Sequence, residues 1–278
     1  MNRGRAFAVA VVVSACGWAA SSLAASGLKT TSEAEELGVE EVASVAAKCK
    51  PGTKAVSGGF KTAFDPVTFP DTLVTANQRT SARRWSATAG NDGALGELRV
   101  YAYCRDQDLQ TATRTVPAPS GVTDSQKARC PGESRAVSGG YLTTPIDYLA
   151  PTTPVMRIAE SRRVGPRKWK VSYFNNGNAD ASVDVYVHCT QGKAPSVRKR
   201  TASLTDAGGT EVTPIKPRCK RGQRVVAGGF ASPEPGKTAA AIIGTRRRSG
   251  RTWLVQARTG QLGAPVEVTA YAYCEKQG

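Results

Sequence analysis

The sequence predicts an all-β protein of three tandem repeats, each a small antiparallel sandwich closed by one disulfide. Three observations carry this reading. A set of landmarks recurs three times along the chain. A cysteine pair brackets each recurrence. The segments between landmarks alternate with period two, as strands do.

The recurrence is dense. Cys49-Lys50-Pro51-Gly52 leads into Ala55-Val56-Ser57-Gly58-Gly59-Phe60, Cys130-Pro131-Gly132 into Ala136-Val137-Ser138-Gly139-Gly140-Tyr141, and Cys219-Lys220-Arg221-Gly222 into Val225-Val226-Ala227-Gly228-Gly229-Phe230. An Arg-rich stretch then ends in a tryptophan, at Arg79 through Trp85, Arg162 through Trp169 and Arg246 through Trp253. Each unit closes on a strand-like run and a cysteine, Tyr101-Ala102-Tyr103-Cys104, Tyr186-Val187-His188-Cys189 and Tyr271-Ala272-Tyr273-Cys274.

Of seven cysteines, Cys16 falls in an N-terminal export signal and six remain. Export favours disulfides over metal thiolates, and with one histidine and no C-x-x-C spacing a zinc site is not expected. Two pairings respect the repeat. One joins Cys49–Cys104, Cys130–Cys189 and Cys219–Cys274; the other is shifted, joining Cys104–Cys130, Cys189–Cys219 and Cys49–Cys274. The first is expected because it lets each unit fold alone. A closed loop of about 55 residues contributes ~4 kcal/mol on the chain-entropy account, a large share of the stability of a unit this small.

Strand character is clearest where Val183, Val185, Val187 and Cys189 alternate with Asp184, Tyr186 and His188, and where Val266, Val268, Ala270, Ala272 and Cys274 alternate with Glu267, Thr269, Tyr271 and Tyr273. The linkers Thr111 to Val116 and Val197 to Leu204 add a strand each. Five or six strands in about 80 residues fit a small sandwich. A single pseudo-threefold β-prism, with each unit supplying one sheet, is the alternative. Glycines inside a strand pattern mark a bulge or a close backbone approach, so the Gly-Gly pairs read as structural, because a phosphate cradle needs a following helix.

The predicted organisation is a signal peptide over 1–25, an acidic tether with a short helix over 26–48, then repeats at 49–107, 108–192 and 193–278. The signal has Arg3 and Arg5 before the apolar run Ala6 to Ala15. Cleavage near Ala24 or Ala25 gives a secreted protein, whereas Val13-Ser14-Ala15-Cys16 read as a lipobox anchors the chain by a lipid on Cys16. In 33–46, five glutamates surround Leu37, Val42 and Val45 at helical spacing. Prolines cluster after each Gly-Gly-aromatic turn, at Pro66 and Pro70, at Pro145, Pro151 and Pro154, and at Pro233 and Pro235. Such loops carry specificity on a repeated scaffold.

No catalytic centre is expected and no cofactor. The only histidine, His188, stands where the other units have Tyr103 and Tyr273, which reads as an aromatic slot that has drifted. Asp65, Asp92, Asp147, Asp180 and Asp184 do not recur in all three units. The outward aromatics Tyr101 and Tyr103, Tyr186 and His188, and Tyr271 and Tyr273 read first as cover for a second layer, and second as stacking platforms for sugars.

Charge is the strongest functional cue. Without its signal the chain nets +14, and residues 193–278 hold 16 basic against five acidic residues, a net +11. Arg246, Arg247, Arg248 and Arg251, with Lys220, Arg221 and Arg224, form the candidate anion-binding set. The expected function is a non-catalytic extracytoplasmic binding or structural protein. Its partners would be an anionic cell-wall polymer, acidic polysaccharide, lipid headgroups or extracellular DNA. A carbohydrate-binding module is the alternative, and a secreted hydrolase the third reading.

The pattern Cys-(Pro)-x-Gly, Val-x-Gly-Gly-aromatic, Trp, Tyr-x-x-Cys resembles a recurrent module in secreted proteins of high-GC Gram-positive bacteria. It covers nearly all of 49–278, with Lys50 and Lys220 as departures after Cys49 and Cys219. The resemblance implies an exported β-repeat protein and assigns no activity to any residue.

Overall fold

A computed structural model describes residues 27–39, 41–63, 73–91, 95–145, 156–205, 211–232, 240–259 and 265–277. The signal segment with Cys16, and the loops carrying Pro66, Pro70, Pro151, Pro154, Pro233 and Pro235, lie outside the described residues, as do Asp65, Asp92 and Asp147.

Each unit contributes six strands in the same order. Unit 1 has β1 (Lys29–Leu37), β2 (Glu41–Lys48), β3 (Lys54–Ala63), β4 (Leu73–Ser81), β5 (Arg84–Asn91) and β6 (Gly96–Arg105). Unit 2 has β7 (Gln110–Ala118), β8 (Thr123–Arg129), β9 (Arg135–Thr144), β10 (Met156–Arg163), β11 (Lys168–Asn175) and β12 (Ala181–Thr190). Unit 3 has β13 (Ser196–Leu204), β14 (Thr213–Ile215), β15 (Gln223–Ala231), β16 (Ala241–Ser249), β17 (Thr252–Arg258) and β18 (Val266–Lys276).

Within a unit the first, sixth and third strands form one antiparallel layer, and the second, fifth and fourth form the other. Each unit is therefore a two-layer sandwich. Its disulfide joins the cysteine after the second strand to the one in the sixth, tying the layers together: Cys49–Cys104, Cys130–Cys189 and Cys219–Cys274 are bonded. The pairing within units is the one formed.

The units also fuse edge to edge. β3 pairs with β16, β4 with β9 and β10 with β15, so three six-stranded sheets form, each shared by two units: β1-β6-β3-β16-β17-β14, β2-β5-β4-β9-β12-β7 and β13-β18-β15-β10-β11-β8. The three seams close a ring about a pseudo-threefold axis. Sandwich units and threefold packing thus coexist, and no sheet belongs to one unit alone. Each seam is short, only two residue pairs: Phe60↔Thr245 and Lys61↔Gly244, Tyr141↔Asn77 and Leu142↔Ala76, Phe230↔Ser161 and Ala231↔Glu160.

The segment 26–48 is not a tether with a helix. It forms β1 and β2, the opening strands of unit 1, one in each layer, matching β7 and β8 and β13 and β14 in the other units. Ala43, Val45 and Ala47 point inward from β2 and are buried, whereas β1 is exposed on both faces along most of its length. An edge strand with two wet faces has no apolar alternation to display, which is why its glutamates resemble a helical surface.

Candidate functional site

The recurring landmarks converge on the pseudo-threefold axis. The first glycine of each pair leaves room for the tryptophan of its own unit: a Cβ on Gly58, Gly139 or Gly228 would collide with the ring of Trp85, Trp169 or Trp253. The second glycine faces the neighbouring unit, and a Cβ on Gly59, Gly140 or Gly229 would collide with the backbone carbonyl of Thr245, Asn77 or Ser161. These glycines are therefore demanded by close approach at the seams. The buried indoles donate from Nε1 to Asn77 Oδ1 (2.7 Å), Ser161 Oγ (3.0 Å) and Thr245 Oγ1 (2.9 Å), one residue type per unit at the same spacing. The axial space among these groups is about 10 Å³. That is at the limit of a single water, so the glycine pairs frame no ligand cradle.

A β-bulge at Val56 and another at Val226 turn their carbonyls out of the ladder toward the next unit. Ser57 Oγ donates to the Val226 carbonyl, and Ser138 Oγ donates to that of Val56 at 2.6 Å. The third member of the ring is Ala227, which has no hydroxyl and is buried. Ala227→Ser should supply the missing donor to the Val137 carbonyl and stabilise the protein by about 1 kcal/mol. A chemical-denaturation midpoint that rises at constant m would show it; an unchanged or lower midpoint would contradict it.

Arginines recur at two fixed distances from the tryptophan. Six residues before it, Arg79 Nη1 donates to the Leu109 carbonyl (3.1 Å), Arg163 Nη2 to that of Pro195, and Arg247 Nη1 to that of Leu28 (3.0 Å), each reaching into the next unit around the ring. Two residues before it, Arg83, Arg167 and Arg251 donate from Nη2 to the carbonyls of Cys49 (2.7 Å), Cys130 (3.0 Å) and Cys219 (3.0 Å). Burial lowers the pKa of Arg79, Arg163 and Arg247. Two of the seven candidate anion-binding residues, Arg247 and Arg251, thus hold the fold together.

The aromatic slots are interior. Tyr103 and Tyr273 are fully buried and stack edge-on against Trp253 and Trp169 of the adjacent units. Their hydroxyls accept from the backbone N–H of Arg247 (2.6 Å) and Arg163 (2.7 Å). His188 fills the third slot, edge-on to Trp85 at 5.5 Å between ring centroids, and is fully buried. Its Nδ1 meets Thr111 Oγ1 at 3.0 Å and its Nε2 has no partner among the described residues. Burial, with a smaller contribution from Arg79, pushes its pKa down to about 3, so the ring is neutral at physiological pH. Tyr101, Tyr186 and Tyr271 are half-buried; Arg246 lies 5.9 Å from the Tyr101 ring centre and Arg162 lies 5.2 Å from that of Tyr271. Among the described residues, no three His, Cys, Asp or Glu side chains converge as metal ligands would.

Arg246 donates to Gln256 Oε1 across the β16–β17 pair, and the other four basic candidates meet at one end of unit 3. The turn after Cys219 lies against the β16–β17 turn: Cys219 N–H donates to the Arg251 carbonyl (2.8 Å) and Val225 N–H to that of Gly250 (2.9 Å). Lys220, Arg221 and Arg248 are exposed and Arg224 is half-buried. Arg224 is close enough to Arg247 to help lower the latter's pKa. No carboxylate among the described residues pairs with Lys220, Arg221, Arg224, Arg248 or Arg251.

No protein-family model matches the chain, and no curated protein matches it.

The equivalent ends of units 1 and 2 each hold one acid paired with their bases. In unit 1, Lys54 pairs with Asp108. In unit 2, Glu133 lies 3.5 Å from Arg135 and 3.9 Å from Arg167. Gly222 occupies the position of Glu133 in unit 3, and Arg224 that of Lys54 and Arg135. Of the residues the sequence groups, Lys220, Arg221, Arg224 and Arg248 lie at this end, whereas Arg247 and Arg251 are held by backbone carbonyls. The signal for that role is their recurrence six and two residues before each tryptophan.

Proposed function

We propose that the chain is a non-catalytic binding protein acting outside the cytosol, and that the basic end of unit 3 contacts an anionic polymer. The observation that carries this reading is that, among the described residues, the bases at this end of unit 3 have no paired acid, whereas the same ends of units 1 and 2 each hold one. Unpaired cations on a rigid turn offer fixed partners for phosphate, sulfate or carboxylate groups, and need no reorganisation to bind them. Three disulfides fit an oxidising compartment. No helix among the described residues is long and apolar enough to cross a membrane. Release after Ala24 or Ala25, or tethering through Cys16, are the two forms of export the signal allows. The burial of Tyr103 and Tyr273 weighs against the sugar-platform reading, and the buried, neutral His188 weighs against its use as a catalytic base.

Retention on a sulfated polysaccharide column should fall steeply with salt. Changing Lys220, Arg221, Arg224 and Arg248 together to alanine should lower the slope of log affinity against log salt by about one for each of these cations that meets a phosphate-like group. Arg247 and Arg251 are left untouched because they hold the fold. Anionic vesicles, duplex DNA and a phosphate-linked sugar polymer in parallel would separate the partner classes. Equal retention of the quadruple variant and the parent at every salt concentration would refute the assignment.

A further inference from the structure

The three units present equivalent free edges of unequal charge. β1, β7 and β13 are outermost in their sheets, and most positions on both faces of each are exposed. β1 carries Glu33, Glu35 and Glu36 against Lys29, β7 carries only Arg114, and β13 carries Arg198, Lys199 and Arg200 with no acid. None of these three glutamates or three bases of β13 has an ion-pair partner among the described residues. A free edge is a template for another strand, and charge of one sign on every edge would repel further copies. Here one edge is acidic and another basic.

We propose that β1 of one copy adds antiparallel to β13 of a second copy, linking copies head to tail. Both strands are nine residues long. Full antiparallel overlap sets Lys29 opposite Leu204 and Leu37 opposite Ser196. In that register Glu33 lies opposite Arg200 and Glu35 opposite Arg198, on one face. On the other face Glu36 lies diagonal to Lys199, within reach for long side chains. All three acids find a base without any slip in register. The two edges differ, so the contact is heterologous and leaves a free edge on each terminal copy, which gives an open series and not a closed dimer.

Sedimentation velocity of the purified, disulfide-intact chain tests this at about 0.01 M and about 1 M salt, where the Debye length is ~30 Å and ~3 Å. The weight-average mass should rise with protein concentration at low salt and fall to that of one chain at high salt. The triple variant Glu33→Lys, Glu35→Lys, Glu36→Lys, and the triple variant Arg198→Glu, Lys199→Glu, Arg200→Glu, should each remain single. Mixed in equal amounts they should associate again, because each now offers the edge the other needs. Unchanged near-ultraviolet circular dichroism would show that both variants are folded. The glutamate variant leaves the basic end of unit 3 intact, so it keeps its polysaccharide retention whether or not copies join. A wild-type chain that stays single at low salt, or a mixture that does not associate, overturns the proposal.

Discussion

Gly140→Ala is expected to destabilise the protein by about 3 kcal/mol. The added Cβ would sit inside the van der Waals shell of the Asn77 carbonyl oxygen and 3.1 Å from Gln78 Cα. Neither is a flexible side-chain tip, so β9 must withdraw from β4. The withdrawal weakens both residue pairs of a seam that has only two. It also shifts Tyr141, buried against the core. Gly229→Ala should cost less, because its Cβ would lie 2.5 Å from the Ser161 carbonyl oxygen, the loosest of the three approaches. Gly27→Ala serves as control, since no atom of the described residues lies within 4 Å of a Cβ there. Denaturant midpoints for the three variants decide the matter. A Gly140→Ala midpoint equal to that of Gly27→Ala would show that the seam tolerates the methyl group and that the glycine has another purpose.

His188 should make the protein acid-sensitive in a window of its own. Its pKa is about 3 in the folded chain and about 6.5 in an unfolded one. As pH falls through 6.5 the unfolded chain takes up a proton that the folded chain refuses, so stability declines progressively down to about pH 3. The decline integrates to roughly 4–5 kcal/mol at about 1.4 kcal/mol per pH unit. His188→Tyr removes the titration. It also places a hydroxyl where Tyr103 and Tyr273 accept the N–H of Arg247 and Arg163, the equivalent donor here being Arg79. The stability gap between the variant and the parent should therefore widen steadily as pH falls from 6.5 toward 3. Carboxylates titrate in both proteins and cancel in the difference. Parallel stability curves over that range would rule out His188 as the source.

The parts of this fold that can be read from sequence are those with a dry side and a wet side. β12 and β18 alternate cleanly because Val183, Val185 and Val187, and Val268, Ala270 and Ala272, face the core. Recurrence narrows the cysteine pairing to two sets, and the set that lets each unit close on itself is the one formed. β1 reads falsely as a helix because no face of it is dry. The fusion of units is illegible for a different reason. Each seam is two residue pairs at a Gly-aromatic step, and short pairing between distant segments leaves no periodicity. The arginine clusters carry two meanings in one string. Arg247 and Arg251 answer to backbone carbonyls, whereas Arg248, opposite Thr80 and Val164 in the other units, has no such counterpart. Only the surroundings of each guanidinium separate the two.

Sharing every sheet between two units has a consequence for biogenesis. The seam between β3 and β16 joins residues about 180 positions apart, Phe60 to Thr245 and Lys61 to Gly244. A chain emerging from its N-terminus can complete the β4–β9 joint as soon as unit 2 appears, but β3 and β10 must wait for unit 3. Until then each is a bare strand edge, that of β3 with Gly58, Gly59 and Phe60 on display, the kind of surface that recruits other unfinished chains. The disulfides fall within units and not across seams, so each sandwich can be locked while it waits, and only the edges remain exposed. Maturation therefore has a vulnerable interval set by how quickly the last third of the chain follows the second. Slowing its arrival should favour entanglement between neighbouring nascent molecules over closure of the ring.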